Sequence, residues 1–467
     1  MRSGLLDERH PAPRRPRDAA PIDLLSSDVR RTVIWLALPV MGEQVLNACV
    51  AWNDQFLAGL IGRSATSAVG FAAYLSWFIS MMFALVGTGA TAIVARAIGS
   101  GRRDEARHET NQAVLLGVLL GVAGFLLVRR LAWWVAGLLA LTPETTAIAA
   151  RYLLIDSIAY PIEAVTFVGA ACLRGAGDTR TPMAVLGFVN IVNIAVSWLL
   201  AFTLGWGVDG IAWGTVTGRF VGGALMLFVL VRSRPELRLS LGALRPDVSL
   251  IARTLRIGLP AAIDGALMFG GHFAFINIVT RSGGAFDSDT LMAAHMIGIR
   301  IESLSYLPAT AWGMAAATLM GQNLGAGSPQ RARQCANEAL RQTVILLTMN
   351  GLLYLICAPW LYRILTSDPA VMACGVPALR ALGLVQPALA VLIIYIWSLR
   401  GAGDTAFPMM FTFIGMVFLR IPIAYLGGVV LGGALLGAWC GMYADLLVRS
   451  GLMTWRFRGG GWARVRV

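Results

Sequence analysis

Apolar residues run along this chain in long blocks, each close to the ~20 residues that a helix needs to cross a bilayer core. The blocks fall at roughly 32–60, 66–97, 110–138, 146–173, 181–205 and 209–231. After a polar link come 254–280, 290–321, 342–362, 374–399, 408–430 and 434–455. The third is interrupted by Arg129 and Arg130. The pattern predicts an all-α integral membrane protein of twelve transmembrane helices.

The second six blocks repeat the first six. Leu173-Arg174-Gly175-Ala176-Gly177-Asp178-Thr179 recurs as Leu399-Arg400-Gly401-Ala402-Gly403-Asp404-Thr405, an offset of 226. The same offset takes Pro161 to Pro387, Pro182-Met183 to Pro408-Met409, and Ala212-Trp213 to Ala438-Trp439. Leu38-Pro39 pairs with Leu259-Pro260 at offset 221, so the second copy has extra residues near its first loop, within Gly283–Asp289. The expected organisation is a basic disordered tail over 1–31, an N-lobe over 32–231, a linker over 232–253, a C-lobe over 254–455 and a basic tail over 456–467. Each copy has an even number of spans and enters from the same face. Such parallel repeats are related by an axis along the membrane normal, with a substrate cleft between them. In the repeated loop the glycines suit a left-handed helix end, and Asp178 or Asp404 can cap the next helix. Its arginine reads as a topology marker.

Composition agrees. Only 13% of the residues are charged and 57% are hydrophobic, where soluble proteins carry about 25% charged residues. That excludes a soluble enzyme, and no catalytic constellation stands out. The formal net charge of +13 comes entirely from arginine, since lysine is absent. Counting by loop, 26 arginines lie on one side of the twelve-span topology and about five on the other. The positive-inside rule then puts both termini in the cytoplasm, so the charge marks topology and not a nucleic-acid partner. The six cysteines show no metal-ligand spacing. No apolar stretch of signal-peptide type sits in residues 1–31.

Ionisable groups inside spans are expensive and are functional candidates by default. On the first span Glu43, Asn47 and Asp54 share a helix face, as do Asn190, Asn193 and Ser197 on the fifth. Asp156, Tyr160 and Glu163 share one on the fourth, and His295, Glu302 and Tyr306 one on the eighth. Lipid cannot satisfy such stripes, so they face protein or water. Asp54 is the leading candidate for a coupling site; an internal hydrogen-bond network is the alternative. Burial disfavours an ionised carboxyl and a bound cation favours it, so an organic cation and a proton can compete for one carboxylate. Glu43 and Asp264 each follow their Leu-Pro by four residues and are candidate cavity or helix-packing groups. His272 is a candidate relay or plain hydrogen-bonding group.

The doubled LRGAGDT loop resembles that of the multidrug and toxic compound extrusion (MATE) transporters. So do Leu38-Pro39 followed by Asn53-Asp54-Gln55-Phe56-Leu57-Ala58-Gly59, Gly321-Gln322-Asn323-Leu324-Gly325-Ala326-Gly327, and Arg420-Ile421-Pro422-Ile423-Ala424-Tyr425. The resemblance covers roughly residues 32–455. It implies a bacterial inner-membrane antiporter, monomeric and without cofactor, that exports small amphipathic or cationic drugs in exchange for H⁺ or Na⁺ as two lobes alternate. It implies a helix-bending role for Pro39, matched by Pro260, and a coupling acid at Asp54 with partners Asn193 and Thr215. Ser197 stands where the family often has a second acid, which weakens a two-carboxylate site in the N-lobe. Asp264 matches an acid that binds Na⁺ in some members, although the tenth-helix counterpart of Glu163 is Leu389. A flippase or exporter of a lipid-linked precursor from the same superfamily is the alternative reading.

Overall fold

The structure, a computed structural model, describes residues 24–137, 142–232, 235–240, 242, 245–284, 286–465 and 467. The disorder expected of the N-terminal tail falls outside these residues up to position 23.

Among the described residues, twelve long helices follow one another. In the first half they are α1 (Val29–Ile61), α2 (Arg63–Gly99), α3 (Arg103–Gly137), α4 (Pro143–Gly175), α5 (Arg180–Thr203) and α6 (Gly207–Arg232). In the second they are α7 (Val248–Arg281), α8 (Ser288–Gly325), α9 (Pro329–Leu365), α10 (Pro369–Gly401), α11 (Ala406–Val430) and α12 (Ala434–Arg458). Ten are long and apolar enough to cross a membrane on those grounds alone. The other two, α8 and α12, have comparable length but carry buried charge. Arg129 and Arg130 do not break α3.

Helix ends follow local chemistry. Asp28 caps α1 by accepting from the Arg31 amide at 3.1 Å. Asp247 caps α7 by accepting from the amides of Ser249 and Leu250 at 3.0 and 3.2 Å, so this helix begins before position 254. The Ser249 hydroxyl, His108 and these amides hold the Asp247 carboxyl well below its usual range. The linker before it is strapped to α3: Asn111 donates to the Arg238 carbonyl at 3.1 Å and Gln112 to that of Arg245 at 2.8 Å. Within α4 a short 3₁₀ turn, Ser157–Ala159, precedes Pro161, whose missing N–H the turn accommodates. The end of α5 is π-helical at Leu199–Thr203, and α11 is π-helical at Gly415–Arg420 and Tyr425–Val430. Leu199 and Tyr425 are equivalent under the 226-residue offset.

Each lobe has its own apolar core. One cluster, including Phe275, Leu382 and Trp439, fills the second half, and two, around Leu153 and Val168, fill the first. A further cluster joins Val33, Leu36 and Val40 of α1 to Ala315 and Leu319 of α8 and Ile394 of α10. It lies at the arginine-rich end.

The lobes meet along a glycine seam at that end. A Cβ on Gly99 would sit 1.9 Å from the Gln322 carbonyl oxygen, and one on Gly258 would sit 2.0 Å from that of Leu85. Gly89 faces Thr254 and Gly325 faces Arg96 in the same way. Side-chain hydrogen bonds close the same end: Gln322 donates to the Gly175 carbonyl at 2.9 Å, Thr318 to that of Arg174 at 3.0 Å and Thr254 to Glu109 at 2.8 Å. The C-terminal segment joins in, with Trp462 stacked on Phe457 and Arg96 donating to the Val465 carbonyl at 2.6 Å.

Candidate functional site

The repeated loops build two matched ion pairs. At Gly177 and Gly403 the backbone turns left-handed (φ +91° and +86°). The amides of Asp178 and Asp404 then bond the carbonyls of Leu173 and Leu399 at 2.9 and 2.8 Å, the closure that ends a helix on glycine. Asp178 caps α5 through the Thr181 amide at 3.0 Å; Asp404 instead accepts from Arg456 at 2.8 Å. The loop arginines also turn back into their lobes. Arg174 is buried and pairs with Glu43 at 2.7 Å, and Arg400 pairs with Asp264. The reason is reach: each arginine sits in the last turn of its span, close enough for its stem to extend back along the lobe. Glu43 and Asp264 are therefore neutralised within their own lobes. Between the arginines lies a small cavity holding about 60 Å³, lined in part by Thr88, Phe167, Met314 and Trp397.

In the N-lobe, α1, α5 and α6 bring together Asp54, Asn193 and Thr215. Thr215 donates to Asp54 Oδ2 at 2.8 Å and accepts from Asn193 at 3.2 Å. Asn53 donates to Asn193 at 3.4 Å and lies 3.5 Å from Asp54 Oδ1. All of these except Asn53 are buried. Ser197 sits one turn beyond Asn193 with its hydroxyl unpartnered, 2.0 Å from where a Cβ on Gly214 would stand. This helix crossing is too close for a longer side chain. Asn47, on the face of Glu43 and Asp54, is exposed.

One turn along α6 from Thr215, Arg219 contacts Asp156 at 2.8 Å and Glu163 at 3.1 Å, and Ser76 donates to Asp156 at 2.7 Å. Arg219 and Asp156 are within electrostatic reach of Asp54. Three carboxylates thus surround one guanidinium. That guanidinium is bonded to Asp156 and Glu163, so Asp54 keeps only uncharged donors among the described residues.

The C-lobe inverts this arrangement. Asp445 occupies the position equivalent to Arg219 and lies between Arg420 at 2.7 Å and Arg449 at 2.6 Å. Gly415 makes room, since a Cβ there would lie 2.0 Å from Asp445 Oδ1. Glu302 is buried, within electrostatic reach of Arg420 but not bonded to it. His295 accepts from Trp439 at 3.1 Å and lies near His272, the two rings tilted with centroids 5.8 Å apart.

Arg219, Arg449 and Asp445 are not among the residues that the sequence singles out, and Arg420 stands there only within a family motif, because the polar stripes legible in the chain lie on the first, fourth, fifth and eighth spans. A basic residue four positions after Thr215, and another four after Asp445, were the available signals.

The MatE family model matches residues 39–199 and 260–426, one block in each lobe. A curated relative, "Probable multidrug resistance protein NorM" of Thermotoga maritima, is 33% identical over 458 residues, 94% of either chain. Multidrug resistance protein MdtK of Pectobacterium atrosepticum is 26% identical and covers 91% of this chain and 94% of its own. Among solved structures, an outward-facing multidrug resistance MATE transporter superposes with a TM-score of 0.86 at 20% identity, covering 95% of this chain and 98% of that one. A MATE crystal structure in the straight conformation gives the same score, identity and coverage.

Proposed function

Because the chain belongs to the MatE family and spans both of its repeated halves, we propose that it is a secondary active exporter of small amphipathic or cationic drugs. It is driven by H⁺, with Na⁺ at Asp54 or Asp264 as the alternative ion. It works as a monomer in the inner membrane with both termini in the cytoplasm. The substrate class rests on relatives named for multidrug resistance.

One observation carries the coupling role: Asp54 is a buried carboxylate held by neutral donors, while the guanidinium nearby is bonded to two other acids. Unpaired negative charge in low dielectric is costly, so Asp54 binds a cation of some kind in each half-cycle. With H⁺ bound it is neutral. When an organic cation enters the cleft the two positive charges compete, and the proton leaves as the cargo binds or returns as the cargo departs. The Asn193–Thr215 pair orients the carboxylate, and Glu163 with Asp156 sets the local field through Arg219. Asn47, Glu302 and His272 offer cavity contacts. Glu43 and Asp264 act more through their arginines than as free acids. Pro39 and Pro260 interrupt the backbone ladder of α1 and α7 where the lobes flex.

Transport of a fluorescent organic cation into proteoliposomes under imposed H⁺ or Na⁺ gradients tests this. Asp54→Asn is expected to abolish gradient-driven transport while the protein stays folded in the membrane. Undiminished H⁺-driven transport by that variant removes Asp54 from the mechanism.

A further inference from the structure

On the arginine-rich face, away from the N-lobe cluster, a groove of about 600 Å³ opens between the start of α9 and the ends of α10 and α12. Its mouth carries Arg333, Arg341 and Arg458, all exposed. Arg341 is held by Glu338 through two bonds of 2.7 and 2.8 Å. Arg333 donates to the Arg458 main-chain carbonyl at 3.1 Å. No carboxylate among the described residues lies within ion-pair distance of Arg333 or Arg458, so two guanidiniums face the groove with uncompensated charge.

Its depth is apolar. Val344 and Ile345 line it just inside the hydrocarbon-length block that begins near position 342. The floor is Tyr395 stacked on Phe457 at 4.4 Å. Trp455, exposed one turn before Arg458, marks the membrane–water boundary, where indole rings collect. Guanidinium groups at headgroup level above an aliphatic wall match one kind of ligand, an anionic amphiphile lying parallel to the helices. Basic pockets between spans on the arginine-rich side take phosphorylated lipid headgroups.

We propose that this groove is a binding site for one anionic phospholipid of the adjacent leaflet, with its phosphate on Arg333 and Arg458 and an acyl chain along Val344 and Ile345. The site requires only that the chain span a membrane, and is independent of what is transported.

Native mass spectrometry of the delipidated full-length chain in detergent tests it, with dioleoyl-phosphatidylglycerol, dioleoyl-phosphatidylcholine or inorganic phosphate added. Wild type is expected to retain one phosphatidylglycerol in preference to phosphatidylcholine. A basic residue near an anionic surface contributes about 1 kcal/mol, or about five-fold in affinity. Arg333→Gln and Arg458→Gln should then each weaken retention about five-fold, and together about 25-fold. Arg63→Gln, on an exposed residue at the opposite end, should leave it unchanged, and Ile345→Asp should weaken it through the acyl chain. Size-exclusion profiles confirm that the variants are folded, and the single changes remain informative if the double variant is not. Equal retention by wild type and the double variant, equal binding of phosphatidylcholine, or competition by inorganic phosphate that Ile345→Asp does not alter would each overturn the proposal.

Discussion

At the scale of single residues, the buried charges differ in what they can spare. Arg219 is the only cation bonded to Asp156 and Glu163 among the described residues. Replacing it with methionine leaves the buried Asp156 and the half-buried Glu163 without a counter-ion, and breaking a buried pair from one side costs roughly 3–5 kcal/mol. Thermal unfolding of the detergent-solubilised protein should show a large loss for Arg219→Met, much of it restored when Asp156→Asn and Glu163→Gln are added. A variant as stable as wild type would show that the cluster is already neutral. The meeting of Asp54, Asn193 and Thr215 was legible in the chain, since helical spacing put polar groups on one face of the first and fifth spans and the family resemblance paired Asp54 with Asn193 and with Thr215 on the sixth. The pairing of Glu43 with Arg174 was not. An arginine near a loop reads as a surface charge until the fold shows which way its long stem turns.

At the scale of elements, hydropathy located every helix but not every boundary. It senses the thickness of hydrocarbon, whereas helix formation continues into water: α9 begins at Pro329, well before the apolar block at 342. The π-helical stretches of α11 left no hydropathy signal either, because one extra residue per turn does not change composition. The repeated loops were readable down to their glycines. Gly177 and Gly403 hold φ values that cost an L-residue about 1–2 kcal/mol. Alanine at either should lower stability by at least that amount, because the new methyl also meets Leu24 in one copy and Val467 in the other. Differential scanning fluorimetry of the two single variants checks this. No change in melting temperature at either site would mean that the loops relax freely.

For the whole molecule, the repeat made two lobes legible, but their relative placement came only from the structure. The seam along Gly89, Gly99, Gly258 and Gly325 brings helix backbones into direct contact at the arginine-rich end. Leucine at Gly99 or Gly258 should act as a wedge. Spin labels on the ends of α2 and α8 should then move apart, and export should fall without loss of folded protein. Unchanged label distances would mean that the seam yields elsewhere. The carbonyls at this contact already serve their own helices, so parting the halves strands little hydrogen-bonding capacity beyond the few side-chain links described. A closure resting on surface fit separates at modest cost, and two states of similar energy respond to modest persuasion. On the export cycle proposed above, a ligand that prefers one of them a hundredfold shifts their ratio a hundredfold, so the guest is asked for a difference in affinity between the two states and not for a close fit to either.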